Sequence, residues 1–174
     1  MKEPPEIDIR PEDPADHDRV DDIVRAAFLA EFGSTSEVDL VRTLRDRGEL
    51  VGDLTLVAVV ADEIIGYIAL SEVTVDGQRV RGLGLAPVAV SPAAQGSGVG
   101  GRLIDEALTR AERAGWQFVV LLGHQHYYPR FGFRPAAPLG LRGDYGDHDA
   151  WMVRPLGDAP LPAGHARYCS AFLG

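Results

Sequence analysis

Lysine is almost missing from this chain: Lys2 is the only one, and arginine carries the rest of the side-chain positive charge. A nucleoside-triphosphate loop needs a lysine directly after its last glycine, so that class of phosphate site is excluded. Cysteine is nearly absent too. Cys169 has no partner for an internal disulfide, which fits a reducing compartment. No stretch approaches the roughly 20 apolar residues of a membrane span. The opening Met1-Lys2-Glu3-Pro4-Pro5-Glu6 lacks the charged-then-apolar order of a signal peptide, so a soluble, cytoplasmic protein is expected. Cations are scarce overall: 17 Lys and Arg stand against 26 Asp and Glu, a formal net charge of −9. Binding nucleic acid draws on clustered cations that displace counterions, so no nucleic-acid partner is expected, nor a membrane one.

What is present is the material of one ordinary domain, with 174 residues, 45% hydrophobic and 25% charged. A chain of this size buries about 70% of the surface that its unfolded form exposes. A short strand is expected at Ile7 to Arg10, then a helix carrying Val20, Ile23, Val24, Ala27 and Phe28 at helical spacing. A second helix starts behind Ser36 as N-cap, with Leu40, Val41 and Leu44 as its core face. Leu54 to Ala61 and Ile64 to Leu70 read as an antiparallel hairpin turning at Asp62-Glu63. Val73 to Val75 and Arg79 to Val90 follow around Asp76-Gly77.

From Leu83 the pattern changes. An apolar strand runs into Gln95-Gly96-Ser97-Gly98-Val99-Gly100-Gly101, and a helix follows with Val99, Leu103, Ile104, Ala107, Leu108 and Ala111 on one stripe, ending at Gly115. Phe118 to Leu122 is a continuous apolar run, completing a βαβ unit expected to be right-handed. The glycine bend then sits at the carboxyl end of a strand, under the unpaired N–H groups of a helix N-terminus, where phosphate binds. Gly96 to Gly101 also matches the dinucleotide pattern G-x-G-x-x-G. Its context does not: an antiparallel sheet precedes it, and the second strand ends Leu121-Leu122-Gly123, without the acidic residue that would hold a ribose. A merely tight turn needs one or two glycines, whereas this one holds four in six residues. Two further strands are expected at Ala150 to Val153 and His165 to Phe172. Trp116 and Trp151 read as packing residues.

These residues resemble the GCN5-related N-acetyltransferase (GNAT) family, whose coenzyme A loop is [Q/R]-x-x-G-x-[G/A] after a strand. Gln95 to Gly100 fits that loop, Leu85 to Pro92 resembles the bulged strand before it, and Tyr127-Tyr128-Pro129-Arg130-Phe131-Gly132-Phe133 resembles the family's Y-x-x-x-G-F box. The match is closest to the predicted acetyltransferases of the YhbS type, whose ending Gly164 to Phe172 resembles. The resemblance implies an α/β (α+β) fold in a single domain, residues 1–174, with a mixed, splayed sheet of about six or seven strands. Residues 7–82 would form the N-terminal helices and meander, 83–122 the acetyl-CoA-binding βαβ core, and 123–174 the aromatic box and last strands.

It also implies acetyl-CoA as cosubstrate, a primary amine of a small molecule or peptide as acceptor, and a homodimer as a common assembly. Backbone groups of Val88, Ala89 and Val90 would bond the pantetheine arm and acetyl carbonyl, with the pyrophosphate on Gln95, Gly96, Ser97, Gly98, Val99, Gly100 and Gly101. Tyr128, four residues before Gly132, would be the acid that protonates the departing sulfur. Glu72 stands where some members hold a carboxylate base, and Glu31 and Glu37 flank the segment that usually forms the acceptor cleft.

Two positions depart from the family. Leu121 replaces an asparagine that bonds the arm, where a helix is shortened, and His124 replaces an acidic residue. The paired His124 and His126 with distant Cys169 lack the spacing of metal ligands, so no metal is expected. A direct ternary mechanism is favoured over an acyl-enzyme because Cys169 is far from the loop in sequence. The alternatives are a coenzyme A sensor without transfer, and transfer of a longer acyl group.

Overall fold

Two tight turns organise the middle of the chain. At Ala61-Asp62 and at Asp76-Gly77 both central residues have positive φ (48° and 67°; 49° and 75°), the backbone that matches the twist of paired strands. They link three strands, β2 (Leu56–Val60), β3 (Glu63–Val75) and β4 (Gln78–Val90). The computed structural model describes residues 5–173, so the first four of the six opening residues that lack a signal-peptide pattern, and Gly174, lie outside the described residues. β1 (Asp8–Pro11) precedes all of these and lies antiparallel to β2, with Asp8 opposite Val59.

β3 is one strand of 13 residues where the sequence was expected to break between Leu70 and Val73. Ser71 and Glu72 do not interrupt it because they obey the alternation: Ser71 is buried, Glu72 exposed, Val73 buried again. Strand pairing follows the order β1-β2-β3-β4, then β5 (Phe118–Leu122), β8 (Trp151–Pro155) and β6 (Arg134–Pro135). Off this path, β9 (Gly164–Arg167) pairs with β3 and with β7 (Leu141–Gly143). The sheet is mixed and mostly antiparallel, with β4–β5 and β7–β9 as parallel pairs. Nine strands form among the described residues, more than expected, because the segment after Phe133 contributes short ones.

Internal contacts divide the chain into two compact units, between which β3, β4 and the long helix α3 (Val99–Arg113) continue. The first unit holds the described residues up to Ala69 together with Pro87–Ala107. In it α1 (His17–Phe32) and α2 (Ser36–Asp46) cover one face of the strands. Val20, Ile23, Val24 and Ala27 pack with Val38 and Val41 against Val57, Tyr67, Ala69 and Ala89. α1 ends at Gly33, whose φ of 66° lets its N–H reach Leu29 O at 3.1 Å. Ser36 is not the N-cap of α2: Thr35 holds that place without a side-chain bond, and the Ser36 N–H donates to Ser34 Oγ at 3.2 Å. Val38 rather than Leu40 is fully buried there. On the opposite face, Val99 and Leu103 of α3 sit over Gly66, where an added Cβ would come within 2.9 Å of both.

The second unit holds Leu70–Ala86 and the chain from Leu108 onward. β5 runs parallel to β4 over Gly82–Gly84 against Phe118–Val120, and antiparallel to the whole of β8. Its core gathers Val73, Val75, Phe118, Val120, Trp151, Val153 and Tyr168. α3 stops as expected before Gly115 (φ 84°), and Arg81 Nη2 donates to the Ala114 carbonyl at 2.8 Å while its guanidinium lies 4.3 Å over the Trp116 ring. The strand expected from His165 to Phe172 ends at Arg167; a 3-10 turn over Ser170–Leu173 follows. Among the described residues, no helix is long and apolar enough to cross a membrane.

Candidate active site

The glycine loop belongs to the first unit. β4 ends at Val90, the Ser91 N–H donates to Ile65 O at 2.8 Å, and Pro92–Ala94 make a 3-10 turn. Gln95 Nε2 donates to Val90 O at 3.2 Å, so its side chain ties the loop to the strand it leaves. The Ser97 hydroxyl donates to Ala94 O. Gly96 and Gly98 have φ of 77° and 83°, a backbone that favours glycine, and no atom lies within 4 Å of where their Cβ would be. The loop therefore presents bare backbone on an open side.

α3 then starts, its first helical bond running from the Arg102 N–H to Gly98 O at 3.1 Å. The preceding N–H groups, at Val99, Gly100 and Gly101, have no acceptor within the helix, and the helix dipole adds positive potential where they point. Val99 is buried and anchors the turn; Gln95 to Gly98 are exposed. Such a helix N-terminus is chemically suited to a phosphate group, because its first N–H groups have no helical acceptor and no side chain occupies the space beside Gly96 and Gly98. Of the three β4 residues named from the resemblance, Ala89 is buried in the core under α1, while Val88 and Val90 are half-buried.

Tyr128 and Glu72 belong to the second unit. After β5, the Gly123 N–H donates to Ala150 O at 3.0 Å and the His124 carbonyl accepts from Tyr127 and Tyr128 N–H at 3.1 and 3.3 Å. The chain then makes a 3-10 turn over Tyr128–Phe131 and leaves through Gly132 at φ 87°. The Tyr128 ring is half-buried and gripped: Tyr127 and Phe133 meet it edge-on at 5.1 and 5.9 Å, and a Cβ on Gly123 would overlap it. Its orientation is thus fixed by packing. A single 3-10 turn stands where a helix was expected to be shortened, and Leu121 is buried in β5 opposite Met152.

Glu72 points from the exposed side of β3 and pairs with Arg79 across the hairpin at 3.2 Å. Glu37 lies in the first turn of α2 and accepts from Ser36 Oγ at 3.3 Å. Glu31 is exposed near the end of α1, and His124 and His126 are exposed in the loop after β5. Trp116 and Trp151 are buried, in keeping with packing roles.

Two clusters were not anticipated. In the first unit Arg45 bonds both Glu12 and Asp21, and Arg42 bonds Asp21 at 2.7 Å, next to the buried Tyr67 hydroxyl. Burial alone would raise the Asp21 carboxyl, but hydrogen bonds from Arg42 and Arg45 outweigh it and hold it below the usual range. In the second unit Tyr168 is buried among aromatic rings, and burial pushes its phenol far above the usual tyrosine value.

A family model described as an acetyltransferase (GNAT) domain matches residues 52–135. The uncharacterized N-acetyltransferase YjhQ of Escherichia coli (strain K12) is 37% identical over 152 residues, 83% of this chain and 84% of that protein. The chain belongs to the GNAT acetyltransferase family. The crystal structure of the GNAT enzyme YhbS from Escherichia coli in complex with CoA superposes with a TM-score of 0.91 at 34% identity, covering 100% of this chain and 96% of that one. A GNAT acetyltransferase from Brucella melitensis in complex with acetyl-CoA gives 0.82 at 34% identity, covering 96% and 98%. Membership of the GNAT family makes this an N-acetyltransferase by descent, and the loop from Gln95 and the turn at Tyr128 both fall inside the span of the family model.

Proposed function

We propose that the protein transfers an acetyl group from acetyl-CoA to a primary amine of a small molecule or peptide by direct attack in a ternary complex. The observation that carries this is the loop from Gly96 to Gly101, with two glycines at positive φ opening a helix N-terminus. Its N–H groups would hold the pyrophosphate, and the backbone of Val88, Ala89 and Val90 the pantetheine arm and acetyl carbonyl. In the transfer the amine nitrogen bonds to the carbonyl carbon, the carbon–sulfur bond breaks, and the amine gives up a proton. Tyr128 donates its phenolic proton to the departing sulfur. Glu72 is the candidate that takes the amine proton, through water, once its pairing with Arg79 yields.

Titration with acetyl-CoA, using NAD as the control ligand, tests the cofactor. Micromolar binding of acetyl-CoA alone supports the reading; binding of NAD alone overturns it. Two observations favour a second reading, a coenzyme A sensor without transfer: Leu121 is buried where an asparagine would meet the arm, and Glu72 is engaged by Arg79. Turnover on a panel of amines separates the two.

A further inference from the structure

The parallel pairing of β4 with β5 stops at Gly84 opposite Val120, yet β4 continues to Val90 and β5 to Leu122. The strands fork there, and Pro87, two residues beyond Leu85, has no N–H to give a neighbouring strand. At the fork lies the hydroxyl of Tyr168, from the chain's closing segment. It donates to Val120 O at 3.3 Å and to Leu85 O at 3.5 Å, one proton shared between the strands that part. The ring is wedged in place. A Cβ on Gly84 would overlap it, and Phe172, Tyr145 and Trp151 pack on it at 4.5, 6.0 and 6.2 Å. Because Tyr168 is buried, its phenol stays protonated and remains a donor.

We propose that Tyr168 is a positioning residue whose hydroxyl ties Leu85 of β4 to Val120 of β5 and so sets the course of β4, whose backbone would receive the pantetheine arm. The proposal rests on the coenzyme A reading above. Without the hydroxyl, two carbonyls in an apolar cluster lose their donor. Without that tie β4 no longer holds its course, and its backbone meets the arm less well.

The test compares two ligands on the whole protein: coenzyme A, and 3′-phosphoadenosine 5′-diphosphate, which has the phosphates but no pantetheine arm. Tyr168→Phe keeps the ring and removes the hydroxyl. Its expected effect is a Kd for coenzyme A about ten-fold higher, the scale of one buried hydrogen bond, with the Kd for the nucleotide unchanged. In turnover, KM for acetyl-CoA rises while kcat changes little. Gly84→Ala, which displaces the ring, shifts the two ligands in the same way and stands in if Tyr168→Phe does not fold. Unchanged affinity for coenzyme A overturns the proposal, and so does equal weakening of both ligands, which marks a global effect. Absence of binding by the unaltered protein overturns the coenzyme A reading and the proposal with it, a result distinct from either of the others.

Discussion

Arg45 Nη1 lies 2.7 Å from Asp21 Oδ1, with both side chains about nine-tenths buried. The same guanidinium bonds Glu12, so one cation serves two carboxylates beneath α1 and α2. Arg45→Ala leaves both anions in a poorly solvated place and is expected to destabilise the protein by about 3 kcal/mol, as for other broken buried pairs. Urea denaturation measures it.

The same site gives a pH dependence. Asp21 is held below its unfolded value by its arginines, against burial, and Asp16 is lowered by a hydrogen bond from Arg10. Their stabilisation is complete above the unfolded carboxylate range, about pH 4, and is lost as pH falls through the lowered folded values. The urea midpoint should therefore drop steeply in acid, and Asp21→Asn should flatten that drop.

Gly98→Ala places a side chain at a φ of 83° in otherwise open space. The strain costs about 1 kcal/mol, so the thermal midpoint moves by only a few degrees while the loop backbone leaves its binding shape. Calorimetric affinity for acetyl-CoA should fall at least about ten-fold; an unaltered affinity would remove the phosphate role of the loop.

Tyr128→Phe preserves the edge-on contacts with Tyr127 and Phe133 and deletes only the hydroxyl. Turnover should decrease by roughly ten-fold to a thousand-fold with cofactor affinity nearly constant. Steady-state rates decide it, and undiminished kcat would end the acid assignment.

For Glu72→Gln, stability should change by less than about 1 kcal/mol, since its pair with Arg79 is exposed. If the carboxylate takes the amine proton, steady-state kcat/KM falls by at least about ten-fold. An unchanged kcat/KM would leave the base elsewhere.

The parts of the fold visible in the sequence are those with local causes. α3 and β5 were legible because a stripe at helical spacing, a stop at Gly115 and an apolar run need no distant partner. The loop was legible because four glycines so close together have few structural uses. Ser36 was misplaced by one position because Ser34, not the helix's own first residue, takes the N–H. β6 and β7 carry two and three residues, too few for a periodic signal, and exist only through β8 and β9. Tyr168 stood inside a motif matched by resemblance, but its hydroxyl meets Leu85 across 83 positions, a separation that no spacing rule spans. The Arg45 pairs with Glu12 and Asp21 are likewise long-range, 33 and 24 positions apart.

The ion pairs of Arg10, Arg42, Arg45 and Arg79 share a chemical property beyond their geometry. Every permanently cationic side chain among the described residues is a guanidinium, which stays charged and therefore does not attack a thioester at neutral pH. An amine in the exposed places, those of Arg42 and Arg79, would be a competing acceptor, open to the very reagent the proposed function keeps at hand. Arginine thus gives this protein a framework of salt links that is inert to its own chemistry, and prolonged incubation with acetyl-CoA should leave those cations unmodified.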